Sequence, residues 1–147
     1  MNPKKIKIGC ASAFWGDTSR AARQLVEKGY IDYLVSDFLA EMTMSILAGS
    51  KKNNPKMGYA TDFIDQLSPL LETIKSKNIK VISNAGGVNL NSCKEALEEI
   101  AHSLGIALNI AIIAGDDLMS KKTELMGLNI KEMETNQELP DNLLSAN

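Results

Sequence analysis

The chain has 147 residues, of which 44% are hydrophobic and 23% are charged, and its formal net charge is -2. This length suits one domain, which would bury roughly two thirds of the surface that its unfolded chain exposes. A charge near zero without a basic stripe argues against a nucleic-acid partner, since such proteins neutralise phosphates. The start, MNPKKIKIG, has no apolar stretch long enough for a signal peptide or a membrane span, so we expect a cytoplasmic protein without a membrane partner.

Four short β-type segments alternate with helical patterns along the chain. They are residues 6–8, 33–35, 80–83 and 108–114. The last one contains three isoleucines and is typical of a strand that is buried on both faces of a parallel sheet. The alternation predicts right-handed βαβ units and an α/β fold with a parallel sheet. We expect a Rossmann-like open three-layer sandwich, although the beginning of a barrel would give the same periodicity.

The predicted α/β domain covers residues 1–127, and residues 128–147 form an irregular segment without a convincing strand. Because no closing element follows, we expect the sheet to be incomplete at its C-terminal end. Gly29 and Gly105 are placed to end helices, and Pro69 predicts a kink or a restart. Ser92 and Glu95 have the spacing of a capping box, which makes the helix after them the most secure one.

Ligand sites of parallel α/β folds lie beyond the carboxyl ends of the strands. The loops at that edge are residues 9–17, 36–37, 84–87 and 115–117. In the third loop, Gly86 and Gly87 would let a phosphate, carboxylate or thioester oxygen approach backbone amides. A tight turn without any ligand explains the two glycines equally well.

Four aspartates are expected at the same edge, where they could hold a divalent ion or act as an acid and a base. For Asp17 and Asp37 we favour helix capping. Only one of Asp116 and Asp117 can cap, so this pair supplies the candidate catalytic residues. We assign no metal site.

Other chemistry is poorly supported by the sequence. The fingerprints GxGxxG and GxxxxGK[ST] are missing, so no cofactor is indicated. Trp15 and Phe14 could form a wall for an apolar ligand or the core of the first loop. Cys10 is expected to be a buried structural thiol, and His102, the only histidine, is expected to face solvent rather than to pair with it.

Five segments carry a resemblance to a known family. In chain order they are IGCASAFWGDT, IDYLVSDFLAEMTMSILAG, MGYATDF, VISNAGGVN and AGDDLM. Together they resemble the N-terminal region of the acyclic terpene utilisation AtuA-type proteins, and the likeness spans nearly the whole chain. The positions that match the family's motifs are Gly9, Trp15, Gly16, Asp17, Asp37, Glu41, Asn84, Gly86, Gly87, Asp116 and Asp117. Ala13 and Leu90 depart from them, since glycine and proline are expected there.

The resemblance implies a role in the catabolism of acyclic terpenes such as citronellol and geraniol. It also implies that relatives continue into further strands, that the ligand is a small molecule such as an acyl-CoA or a carboxylate, and that acyl-CoA carboxylase subunits are partners. The oligomeric state stays open. Our leading hypothesis is an enzyme or enzyme subunit in which Asp116 or Asp117 is a general base and the Gly86 and Gly87 amides hold an oxyanion.

The ligand-binding residues under this hypothesis are Gly9, Trp15, Asp17, Asp37, Asn84, Gly86 and Gly87. A noncatalytic ligand-binding or assembly subunit is the alternative. An inactive fragment is a third interpretation.

Overall fold

The computed structural model describes residues 5–147. Within that range the chain is an α/β fold with a three-stranded parallel sheet in the order β1-β2-β3. The strands are β1 (Ile8–Ser12), β2 (Tyr33–Ser36) and β3 (Lys80–Ser83). The parallel α/β architecture is therefore confirmed. The first strand begins two residues later than the sequence predicts and continues to Ser12 because it pairs with β2 along that length.

Six α-helices connect and follow these strands within residues 5–147. They are α1 (Ala21–Lys28), α2 (Glu41–Asn53), α3 (Thr61–Leu67), α4 (Leu71–Ser76), α5 (Leu90–Ser103) and α6 (Lys122–Gly127). The predicted break at Pro69 is confirmed, since Ser68–Leu70 is a 3-10 turn between α3 and α4. The predicted capping box is wrong. The side chain of Asn89 accepts a hydrogen bond from the Ser92 N–H, and the helix begins at Leu90.

The hydrophobic core lies on one face of the sheet. Leu34 on β2 is fully buried there, together with Val26 of α1, Leu67 of α3 and Leu97 of α5. A β-carbon at Gly9 would come within 2.9 Å of the Leu25 side chain, so α1 packs almost directly on β1. Burial of these apolar side chains is the main term that stabilises the fold.

The opposite face of the sheet is bare within residues 5–147, and we call it the open face. It consists of Ile8, Cys10, Tyr33, Val35, Lys80 and Ile82, which lie side by side in the parallel register. Ile8 is 66% exposed and Ile82 is 55% exposed. The second helical layer of a three-layer sandwich is thus not seen in the described part of the chain. The expected buried thiol at Cys10 is wrong for the same reason, because Cys10 lies exposed on this face.

The predicted fourth strand at residues 108–114 is also wrong for this structure. The segment is irregular and forms no backbone hydrogen bond with any described residue. Leu108 and Ile110 pack partly against the core, whereas Ile113 is 92% exposed. Strands of a parallel sheet are usually covered on both faces, and here one face is open.

The last twenty residues are largely irregular. An isolated bridge joins Lys131 and Glu138, and the Leu118 N–H donates to the carbonyl oxygen of Ala146 at 2.8 Å. Among residues 5–147, none of the helices combines the length and the apolar character that crossing a bilayer requires.

Candidate functional site at the strand ends

Each strand ends in a serine, and the three serines lie side by side in the order Ser12, Ser36 and Ser83. Ser12 and Ser36 are each 4% exposed. The Ser12 hydroxyl donates to the carbonyl oxygen of Asp37 at 3.1 Å, and the Ser83 hydroxyl donates to that of Ser36 at 2.7 Å. These bonds satisfy buried polar groups and fix the loops that leave the strands.

Asn84 joins the loops that follow β2 and β3. Its side-chain oxygen accepts a hydrogen bond from the Phe38 N–H at 2.8 Å, and its side-chain nitrogen donates to Asp37 Oδ1 at 2.7 Å. The same Oδ1 accepts a longer bond from the Leu39 N–H at 3.3 Å. One oxygen of the exposed Asp37 carboxylate is therefore held in place, while Oδ2 accepts no hydrogen bond from the described residues. We call Ser12, Asp37 and Asn84 the strand-end cluster.

Neither Asp17 nor Asp37 caps a helix, so that prediction is wrong. The helices that follow begin at Ala21 and Glu41, with Arg20 and Ala40 in the capping positions and no side-chain capping bond. Asp17 instead closes its own loop, because Oδ2 accepts a hydrogen bond from the Ala13 N–H at 3.0 Å. Both aspartates bind backbone amides of loops, which is a common use of their short side chains.

A shallow hollow of about 390 Å³ opens beside the first loop. It is lined by Gly16, Asp17, Thr18, Ser19, Arg20, Asp62 and Gln66. Arg20 forms no ion pair with any residue in the described range, so its guanidinium is free to meet a ligand. Sequence reasoning identified Asp17 in this hollow but missed Arg20, because a single arginine between polar neighbours has no distinctive spacing.

The glycine turn after β3 is explained largely by packing. A β-carbon at Gly87, which has a φ of +53°, would meet a Leu47 methyl at 2.5 Å and the Gly58 carbonyl oxygen at 2.7 Å. The Gly87 N–H already donates to the Asn84 carbonyl oxygen at 3.1 Å. The neighbouring Gly86 N–H has no hydrogen-bond partner among residues 5–147, but Gly86 is buried, so the turn presents no exposed pair of amides to a ligand.

The remaining predicted site residues are placed differently. Gly9 lies inside β1 and faces α1, and Trp15 is half-buried against the core while Phe14 is 55% exposed. Asp116 and Asp117 are exposed after the irregular 108–114 segment, and Asp117 Oδ1 accepts a hydrogen bond from the Met119 N–H at 2.9 Å. In the described part of the chain, no hydrogen bond joins this pair to the strand-end cluster.

Comparison with known proteins identifies the family. A family model described as "Acyclic terpene utilisation family protein AtuA" matches residues 6–147. The chain belongs to the AtuA family. No curated protein and no solved structure matches it. The strand-end cluster lies within three of the five motifs that suggested this family, so its geometry belongs to the AtuA part of the chain.

The thiols and the histidine of this AtuA chain do not form a nucleophilic site. Cys93 is buried in the core, and its burial raises the pKa of the thiol to about 11, so it stays protonated at neutral pH. Cys10 donates from Sγ to the carbonyl oxygen of Ser12 at 3.3 Å. His102 is exposed on α5, as expected. Within residues 5–147, no three of the Asp, Glu, His and Cys side chains are grouped as metal ligands.

Proposed function

We propose that this chain is an enzyme or enzyme subunit of acyclic terpene catabolism, and that its strand-end cluster binds the polar end of a terpenoid or of its acyl-CoA ester. Family membership supports the pathway. The observation that carries the site is the Asp37 carboxylate, of which one oxygen is fixed by Asn84 and the other is open. A fixed carboxylate at the carboxyl ends of parallel strands is well placed for a ligand.

The chemistry of Asp37 limits what it can receive. An ionised carboxylate only accepts hydrogen bonds, so the ligand group that meets Oδ2 must be a donor. A hydroxyl group fits, and so does a carbon whose proton is made acidic by a neighbouring carbonyl group. In the second case Asp37 takes the proton as a general base, and Asn84 acts as the positioning residue.

An anionic end of the same ligand would be repelled by Asp37 and needs a different contact. Arg20 supplies one, because its guanidinium lines the hollow beside Asp17 without an ion pair to a described residue. Guanidinium groups bind carboxylates and phosphates through paired hydrogen bonds. Arg20 is therefore the contact we propose for the carboxylate of a terpenoid acid or a phosphate of coenzyme A, and it must outweigh the repulsion from Asp17 and Asp62 in the same hollow.

The test uses Asp37→Asn in the whole chain, because this change removes the charge and keeps the shape. The probes are citronellol, geraniol, their acids and the CoA thioesters of those acids. We expect Asp37→Asn to lower turnover of the accepted probe by about 100-fold or more, the usual contribution of a general base. Asp65→Asn is the matched control, since Asp65 is exposed on α3 and forms no hydrogen bond with a described residue. Full turnover by Asp37→Asn would exclude this role.

The pair Asp116 and Asp117 remains a second source of a catalytic base. Both carboxylates are exposed, and Asp117 shares one oxygen with the Met119 N–H. Under this version an oxyanion would have to reach the N–H of the buried Gly86, because the Gly87 N–H is used within its own turn. Asp116→Asn and Asp117→Asn, measured beside Asp37→Asn, will separate the two assignments by which variant loses turnover.

A noncatalytic assembly subunit is the second candidate function, and the open face favours it. Exposed Ile8 and Ile82 on neighbouring strands are typical of a surface that another layer covers. If acyl-CoA carboxylase subunits bind there, Ile8→Lys and Ile82→Lys will abolish co-purification. Met133→Lys is the control, because Met133 is 98% exposed in the irregular C-terminal segment. Retained co-purification by both open-face variants would argue against this surface.

A further inference from the structure

The outer edge of β3 presents unpaired backbone groups. The Lys80 N–H donates to the carbonyl oxygen of Asp32 at 3.0 Å, so Lys80 points its backbone groups toward β2. Alternate residues of a parallel strand bond to the same neighbour. Ile82 therefore also bonds to β2, whereas the N–H and C=O groups of Val81 and Ser83 point away from it. No described residue bonds to the Val81 or Ser83 amide.

The irregular 108–114 segment has the properties of a strand without its pairing. From Leu108 to Ile113 the side chains alternate strictly between half-buried and exposed, as they do along a strand. Its backbone amides have no hydrogen-bond partner among residues 5–147. A hollow of about 360 Å³ is bordered by Glu98 of α5 and by residues 108–111, so the segment is not closely packed on that helix.

The start of the segment is already fixed. The Ile106 N–H donates to the Ala101 carbonyl oxygen at 2.8 Å, and the Lys75 ammonium group donates to the Ala107 carbonyl oxygen at 3.2 Å. Leu108 and Ile110 then contact the same core as α5. Because α5 lies on the helix-bearing face, a strand formed after it would run parallel to β3 as the end of a βαβ unit.

We infer that residues 108–114 pair with the free edge of β3 as an added strand, and we call this conformation the closed state. The conformation in which the segment is irregular is then the open state. Closure satisfies the outward groups of Val81 and Ser83 and the unpaired amides of the segment. The pairing of these groups favours the closed state, since unpaired backbone groups are costly.

Closure would complete the site. The residues that follow a parallel strand lie at the same edge as the other strand ends, so Asp116 and Asp117 would move beside the loop of Asn84. Two carboxylates would then join the open oxygen of Asp37. This consequence rests on the proposed function, whereas the closure of the strand does not.

Amide hydrogen exchange of the whole chain, measured by NMR without ligand, tests the closure. We expect Val81 and Ser83 to exchange at least about tenfold more slowly than the same sequence in an unfolded peptide, with alternate amides of residues 108–114 slowed as well. The internal control is the Ile8 amide on the outer edge of β1, which pairs with no other strand among residues 5–147. Exchange at the unfolded rate by Val81 and Ser83 would overturn the inference.

A pair of proline variants gives a second readout. Neighbouring N–H groups of a strand point to opposite sides, so only one of Ala111→Pro and Ile112→Pro removes a bond to β3. We expect one of the two proline variants to return the Val81 amide to fast exchange and the other to leave it slow. Ile112→Ala is the control that shows how much of any effect comes from losing the Ile112 side chain. Equal behaviour of the two proline variants contradicts the inference. Protection that is lost on dilution also contradicts it, because a second copy would then be the partner of β3.

Discussion

Replacing Asn84 tests the link between the two loops of the strand-end cluster. Asn84→Ala removes the acceptor of the Phe38 N–H and the donor to Asp37. A partly buried N–H left without a partner costs about 1 to 2 kcal/mol, and the bond to the exposed carboxylate contributes roughly 0.5 to 1 kcal/mol. We expect the free energy of unfolding to fall by about 2 kcal/mol, which moves the urea midpoint by roughly 1 M.

Asn84→Asp separates the two bonds. The new carboxylate still accepts from the Phe38 N–H, but it faces Asp37 Oδ1 where the amide donor stood at 2.7 Å. Two carboxylates this close repel each other when both are ionised, and protonation at low pH relieves that repulsion. The stability of this variant is therefore retained below about pH 4 and lost as the pH rises.

Urea denaturation between pH 4 and pH 8, followed by circular dichroism, measures both effects. Asn91→Ala is the control, because Asn91 is exposed on α5 and forms no hydrogen bond with a described residue. The reasoning is refuted if Asn84→Ala loses less than about 0.5 kcal/mol, the scatter of ordinary surface changes. It is also refuted if Asn84→Asp unfolds at the same midpoint at both ends of the pH range.

Three further outcomes follow from the packing. Gly87→Ala should destabilise the fold by about 2 kcal/mol or more, because Gly87 has a positive φ and a β-carbon there would meet its neighbours. Gly49→Ala should stabilise the fold by roughly 0.5 to 1 kcal/mol, because Gly49 lies inside α2 with open space around it. Equal urea midpoints of the two variants would contradict this contrast. A thiol reagent should label the exposed Cys10 in the native protein and reach Cys93 only after unfolding, as counted by mass spectrometry. Burial raises the pKa of Cys93 from 9.0 to about 11, so the stability that the protonated thiol supports is complete below pH 9 and declines between pH 9 and pH 11. Cys93→Ala should remove this part of the alkaline loss of stability. An unchanged dependence of stability on pH would contradict the role of Cys93.

Local sequence patterns correctly predicted those helices and strands whose packing in the fold matches the pattern. The sequence KVIS became β3, and the amphipathic stretch before Gly105 became α5. The first strand was placed too early because Gly9, Cys10 and Ala11 have weak strand preference, and pairing with β2 decides their conformation. The second helix runs on through residues that look like a loop, because Leu47 and Ala48 are buried.

The sequence predicted which edge of the sheet carries the candidate site, but not the contacts between its side chains. Parallel topology alone put Asp17, Asp37 and Asn84 at one edge. The bond between Asp37 and Asn84 joins residues 47 positions apart, and no local spacing encodes such a contact. A serine ends each of the three strands, and the sequence shows this repetition. It was missed for Ser12 because β1 was predicted to end at residue 8. The exposure of Cys10 depends on whether a second layer covers the sheet, and a local pattern cannot report that.

The open face also bears on how the chain behaves at high concentration. A bare apolar face beside unpaired strand edges is a template on which other chains can stack and add strands. Lys80 stands at the start of β3 on this face, and the exposed Lys7 directly precedes β1. Positive charges at such positions repel a second copy as it approaches. Lys7 and Lys80 are therefore placed where their charges oppose the stacking of identical chains on this face.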